Sequence, residues 1–463
     1  MGQLLLLLTL MGSPQAQASK RALAFAKSAG PDSALALMRV AEMAGRVGDE
    51  AIVAAVVDHF VERPEQLRGL HRADRPMFVE PALAALAVGD TDRHAAMLEV
   101  VEEHLRYSRE GLTWRSVAGA WGASGNVDRA VAAAERADDP EDTAWGLRLG
   151  GALAELHGHP DAAERLLELA ERADGDVEDP RRRDRQPVYA FHAFLDAGAF
   201  DEAEPLLDGL RDGYWHVNYG VDLAEQRLYA GDRAGFDQTM AKAVDVAIAI
   251  ANAAGDDSRI FPLVKVSRLY SDTSNLQRAL ELAATAEASS RKLRARDMAS
   301  ALLRVAGAYG AGGDAESARR LVAEAMALHG HTDVERLPMW EHGYSEAAEG
   351  LAHGGFVDDA RAILERLGEK RTGYQGYAAL ATHFASIGDI DAAADAWADV
   401  RWGRKFRHEA ARRVGWSLVN AGHTDKLDAL AQQLRTDADR AHLWLGVLDH
   451  TIAGRPQPSV YSP

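Results

Sequence analysis

The side chains of this chain with the widest chemical repertoire are its histidines, and two pairs of them bracket a glycine: His157 and His159 around Gly158, His329 and His331 around Gly330. Imidazoles so placed could hold a divalent metal, but zinc needs further ligands at helical or loop spacing. Asp161, Glu155 and Glu335 stand four residues from His157, His159 and His331, but across turns or helix ends they give no pair a convincing carboxylate partner, and His408-Glu409 lacks the second histidine of a zinc-protease helix. Both pairs fall at expected turns or helix ends, where they read as solvated polar side chains. Gly310-Ala311-Gly312-Gly313 has the glycine density of a dinucleotide-binding turn, yet that turn follows a strand and the residues here are patterned as helix. Gly343-Tyr344-Ser345 and Gly415-Trp416-Ser417 start like a nucleophile elbow and lack its closing glycine. The Asp and Glu residues single out no acid–base pair. Without a cysteine there is no thiol catalysis, disulfide or thiolate metal site. These residues imply no enzymatic activity and no cofactor or metal.

The elements that carry these residues are helices. Alanine, leucine, arginine and glutamate dominate while β-branched and aromatic residues are sparse, a balance that favours helix over strand. One phrase recurs along the chain: an apolar helical stretch, a glycine, a polar pair containing Asp, then alanine. It is clear at Gly125, Gly158, Gly198, Gly313, Gly355 and Gly388, and weaker at Gly48, Gly89, Gly231, Ser274 and Gly422. These anchors lie 33 to 43 residues apart. Glycine ends a helix because the turn requires a positive φ. The Asp, Asn or His after it suits a helix start, where a side-chain oxygen accepts from an orphan amide.

Two fixed offsets sharpen the pattern. Seven residues before the anchors stand Ala41, Ala82, Ala118, Gly151, Phe191, Ala224, Ser267, Ala306, Ala348, Ala381 and Gly415, all small except one. Twelve after them stand Phe60, Val101, Ala137, Ala170, Leu210, Ala243, Ala286, Ala325, Leu367, Val400 and Leu434, all apolar. Small side chains at a constant place let neighbouring helices approach closely. The expected fold is all-α, built from about eleven antiparallel helix pairs stacked as a solenoid.

The pattern resembles the tetratricopeptide repeat family, whose helix pairs carry a small residue midway along the first helix and alanines in the second. The aromatic near the start of that family's first helix is matched by Trp114, Tyr344 and Tyr377. The resemblance covers roughly residues 30–436 and departs from the family in its longer repeats and missing helix-ending prolines. It implies a right-handed solenoid whose first helices line an inner groove, with residues ten, nine and six before each anchor facing into it. Here those positions include Arg115, Arg148, Lys265, Arg268, Arg304, Arg412 and Arg413, with His192 and Trp416, opposed by Asp222, Glu225, Glu346 and Glu349. Such a groove would take a protein or peptide, acidic where the arginines gather, by charge-assisted hydrogen bonds. Trp145, Tyr214, Trp215, Tyr219, Trp340 and Tyr344 lie near the starts of first helices, as packing between repeats or as anchors for a partner.

Charge and chain ends bound the remaining possibilities. With 52 basic and 70 acidic side chains the formal charge is −18, which disfavours nucleic acid as a general ligand. The run Arg181-Arg182-Arg183-Asp184-Arg185 is interleaved with acids and reads as a solvated loop within an insertion from Asp174 to Pro187. Residues 1–18 have two readings. One is a leader, from the apolar run Leu4–Met11 and Ala16-Gln17-Ala18; the other is a truncated first repeat turning at Gly12. The first places the chain in a secreted or periplasmic setting and the second in the cytoplasm. Residues 19–450 form the solenoid, Asp437–His450 its final covering helix, and 451–463 a disordered tail. No stretch reaches the ~20 apolar residues of a membrane span. Two rival functions remain: a sensor or regulatory module within a larger signalling or transcription-regulating protein, and a helical-repeat RNA binder, which the mixed groove charges disfavour. The oligomeric state is not legible in the sequence.

Overall fold

The structure is a computed structural model that describes residues 14–30, 33–69, 77–106, 111–175, 186–210, 213–253, 255–329, 338–367, 373–400 and 404–453. Among the described residues there are helices and turns and no strand. They form two compact units, one reaching Leu210 and joined by Thr436 onward, the other Arg211–Arg435. The first unit begins with α1 (Pro14–Ser28) and continues in pairs: α2 (Ser33–Arg46) with α3 (Glu50–Glu62), α4 (Glu80–Ala87) with α5 (Thr91–Leu105), α6 (Gly111–Ala123) with α7 (Val127–Glu135), α8 (Pro140–Leu156) with α9 (Pro160–Gly175), and α10 (Gln186–Ala197) with α11 (Phe200–Asp208). The second holds α12 (Gly213–Tyr229) with α13 (Arg233–Asn252), α14 (Phe261–Asp272) with α15 (Leu276–Ser290), α16 (Ala295–Ala311) with α17 (Ala315–His329), α18 (Pro338–His353) with α19 (Val357–Leu367), α20 (Tyr374–Ser386) with α21 (Ile390–Ala398), and α22 (Arg404–Asn420) with α23 (Leu427–Gln433). The last helix, α24 (Asp437–Ala453), belongs to the first unit.

All eleven anchors take a positive φ, from 61° at Ser274 to 88° at Gly313. Each turn closes in the same way. At Gly231, for example, the Asp232 amide donates to the Arg227 carbonyl at 2.8 Å and the Gly231 amide to the Leu228 carbonyl at 3.1 Å. This double closure satisfies the last carbonyls of the first helix. The following polar residue then starts the second helix: Asp49, Asp90, Asn126, Asp232, Asn275, Asp314 and Asp389 each accept from the amide three residues on.

The small residues sit where helices nearly touch. The Ser267 hydroxyl donates to the Ala279 carbonyl at 2.8 Å, and the His94 ring nitrogen Nδ1 lies 2.9 Å from the Ala82 carbonyl. Both contacts join the position seven before an anchor to the position five after it, so a first helix leans on its own second helix at a constant level. First helices also pack side by side with the first helices of adjacent pairs. The approach is tightest at glycines: a Cβ on Gly350 would lie 1.9 Å from the Gly307 carbonyl oxygen, and one on Gly122 2.4 Å from the Gly150 Cα. The resulting core is rich in alanine and fully enclosed at Phe60, Phe191, Phe236 and Trp114.

Helix α24 packs on α1 and α2. Ala18, Ala22 and Ala26 of α1 and Ala438, Ala441, Leu445 and Leu448 of α24 are buried. Two cations seal the contact, with the Arg21 guanidinium 5.0 Å from the Trp444 ring and that of Arg440 5.9 Å from the Phe25 ring. The helix from the C-terminal end is thereby paired with the helix from the N-terminal end. The chain between α3 and α4 contains a short 3-10 turn, Pro64–Gly69, and α9 runs on through the start of the charged insertion to Gly175. The apolar run Leu4–Met11, the arginine run 181–185 and the tail from 454 lie outside the described residues.

Candidate functional site

Equal offsets from successive anchors put side chains at equal heights on neighbouring first helices. Lys265 and Asp222, both nine before their anchors, meet at 2.8 Å between α14 and α12. Arg304 and Glu346, at the same offset, meet at 3.3 Å between α16 and α18. One level along, Arg268 and Glu349, both six before their anchors, meet at 2.8 Å although α14 and α18 are separated by α16. First helices two apart can reach each other only where their layer curves toward that face. Lys265, Arg268 and Arg304 are thus brought together with Asp222, Glu349 and Glu346, and each forms an ion pair.

The electrostatics follow from this crowding. Burial pushes the Glu349 carboxyl up, but Arg268, His353 and Arg413 together outweigh it and hold it below the usual range. Burial raises Glu346, and Arg304 and Arg268 offset that only in part. His353 is lowered, chiefly by burial. The Arg304 guanidinium also lies 5.1 Å from the Phe261 ring, and its Nε is buried without a hydrogen-bond partner. On α22, Arg412 is buried and Trp416 half-buried. Arg413 beside them is exposed and makes no ion pair or hydrogen bond with the described residues.

The first unit has its own cluster. Trp145 of α8 lies between two neighbours: the Arg115 guanidinium of α6 sits 3.5 Å from its ring centre, and His192 of α10 stacks at 5.9 Å with planes 8° apart. Arg115 also pairs with Asp142 at 3.2 Å, and Arg148 with Asp174. Three of the expected groove residues are therefore fixed by partners on adjacent elements.

Two carboxylates here were not among the expected site residues. Asp196 has an exposed surface. Protein nonetheless crowds it, and the desolvation raises its carboxyl to about 7 against the opposing pull of Arg115. Glu80 is also raised to about 7, by desolvation and then by Glu42, with Arg39 and Arg46 acting the other way. Glu80 and Arg39 lie nine before their anchors and Glu42 six before, so the offset that located Glu346 and Glu349 could have found all three. Asp196, two before its anchor, carried no such signal.

On the second-helix side the arginines are more open. Its ion pairs range from Arg172–Glu168, 73% and 59% exposed, to Arg291–Glu287, 40% and 14% exposed, against 22% and 15% at Arg268–Glu349. Of the aromatics, Trp145 is buried, whereas Trp215 is 46% exposed and stacks on Tyr219 at 5.5 Å. The Trp340 side chain and His331 lie outside the described residues. His157 is lowered by burial and by His159. Among the described residues no three His, Asp or Glu side chains are grouped to hold a metal. A cleft of about 530 Å³ beside Glu50, Asp90 and Arg93 lies at a turn, away from the first-helix face.

No family model matches the chain, and no curated protein matches it. Among solved structures it aligns with a circular tandem repeat protein with novel repeat topology and enhanced subunit contact surfaces, at 16% identity over 95% of this chain and 97% of that one, with a TM-score of 0.21. No helix among the described residues is long and apolar enough to cross a membrane. The chain is an all-α helical-repeat protein.

Proposed function

We propose that the chain is a non-enzymatic scaffold that recognises a protein or peptide partner through the face made by its first helices. The observation that carries this reading is the ordering of that face. Arg115, Arg148, Arg268 and Arg304 are each held by a carboxylate, three of them on a neighbouring or next-but-one first helix and Arg148 by Asp174 on its own second helix. Fixed side chains lose little entropy on binding, so a face ordered in advance is suited to recognition. The tetratricopeptide-like arrangement belongs to this proposal and is supported by the common turn and the constant small-residue offsets; its right hand is what the resemblance implies.

The test is selection of peptides from a displayed library on the intact chain, followed by titration against two charge reversals. Within the second unit, Arg413→Glu alters the first-helix face and Arg319→Glu the second-helix face, both at exposed sites. Loss of affinity of about tenfold or more for Arg413→Glu, with Arg319→Glu unchanged, is expected. The reverse pattern would place recognition on the other face and end the proposal.

A further inference from the structure

Three arginines from three first helices gather around two carboxylates of α18. Arg268 of α14 and Arg304 of α16 are ion-paired to Glu349 and Glu346, and the charge of Arg413 of α22 also acts on Glu349, while Asp272 acts on Arg268 and Asp257 on Glu346. Glu346 and Glu349 stand three residues apart on one helical face. An acidic segment of another protein would present the same two groups to the same arginines.

We infer that this arginine cluster is a binding site for carboxylates of an acidic peptide, and that Glu349 occupies it in the free chain as a built-in competitor. The inference rests on the scaffold reading above and adds the ligand chemistry and its control. One feature is open to a ligand, and a second marks an imperfect fit inside the closed state. Arg413 is exposed and makes no ion pair or hydrogen bond with the described residues, so one cation of the three is open to a ligand. The Arg304 Nε and the Glu346 Oε2 are both buried without a hydrogen-bond partner, so the inner pair of the cluster is imperfectly satisfied in the closed state. A ligand carboxylate that engages Arg413 and Arg268 must displace Glu349, and the two inner helices it bridges are then free to part. Ligand binding and the curvature of this unit are coupled by that exchange.

The experiment titrates fluorescein-labelled hexaglutamate into the full chain and follows anisotropy, for wild type, Glu349→Gln and Glu349→Gln/Arg413→Gln. Removing the competitor is expected to tighten binding about tenfold, and removing Arg413 to abolish the gain. Equal affinity for wild type and Glu349→Gln overturns the inference, as does an equal gain for a single-stranded oligonucleotide, which would mark an unselective cationic patch. Should Glu349→Gln fail to fold, Glu349→Asp withdraws the carboxylate by one methylene and keeps its charge. It is expected to tighten binding by a smaller factor, and no gain there counts against the inference equally. Selected peptides that bind the first-helix face while hexaglutamate gains nothing would remove this inference and leave the scaffold reading standing.

Discussion

Arg268 and Glu349 meet at 2.8 Å across the top of α16, a helix to which neither belongs. The pair is mostly shielded from water, so screening weakens it less than the open pairs on the second helices. It ties together two helices that have no direct main packing between them. Neutralising either partner, as Arg268→Gln or Glu349→Gln, is expected to lower stability by about 1–2 kcal/mol. A double-mutant cycle in urea should return a coupling of about 1 kcal/mol. Additive losses would mean that the contact contributes nothing of its own.

The glycines divide by the reason for their presence. Gly350 faces the Gly307 carbonyl so closely that Gly350→Val is expected to cost about 3 kcal/mol or more. Gly231 has open space but a φ of 85°, so Gly231→Ala should cost about 1 kcal/mol from backbone strain alone. Gly255 has neither constraint, and Gly255→Ala is expected within about 0.5 kcal/mol of wild type. Chemical denaturation of the three variants checks the order, and a tolerant Gly350 would contradict the close-packed inner layer.

Acid should stabilise the first unit through Glu80 and Asp196. Both carboxyls are raised to about 7 in the folded chain from ordinary values of 4.5 and 3.8. Between those limits the folded state holds more protons than the unfolded one, so stability falls as pH rises through about 7. Asp196→Asn removes one such group and is expected to flatten the slope, gaining on the order of 1 kcal/mol near pH 8 once solvent screening is allowed for. Urea midpoints near pH 5 and pH 8 decide the matter. Parallel pH dependence in wild type and variant would show that Asp196 carries no strain.

The pairing of α1 with α24 places a structural demand on both ends of the described chain. Ala22 is fully buried and Ala24 is exposed, two residues apart on the same helix. Ala22→Arg is expected to destabilise by about 3 kcal/mol and Ala24→Arg by less than about 0.5 kcal/mol. Thermal melts with a dye for exposed apolar surface would reveal the difference. Equal behaviour would mean that α1 is not docked on α24.

The turns were legible in the sequence because their cause is local. A positive φ selects glycine, and the amides left open by a new helix select Asp or Asn, so a few residues suffice to mark each boundary. Even Ser274, which is not glycine, was located by its neighbours and adopts the same left-handed turn. The partners of the groove arginines were harder to read. Offset alone puts Arg304 level with Glu346 and Lys265 level with Asp222, but whether a rung joins adjacent or alternate helices depends on curvature, which Arg268 and Glu349 disclose only in three dimensions. The contact between α1 and α24 joins residues at opposite ends of the chain, and nothing in a local pattern records it. Asp196 escaped notice because its unusual carboxyl comes from surroundings supplied by other helices.

The most direct test of recognition by the first-helix face is photo-crosslinking from single positions on the intact chain. A benzoylphenylalanine at position 413 on that face and one at position 319, on a second helix of the same unit, would be irradiated with a peptide selected for binding. The account requires strong crosslinking from 413 and little from 319; efficient capture at 319 with none at 413 would contradict it.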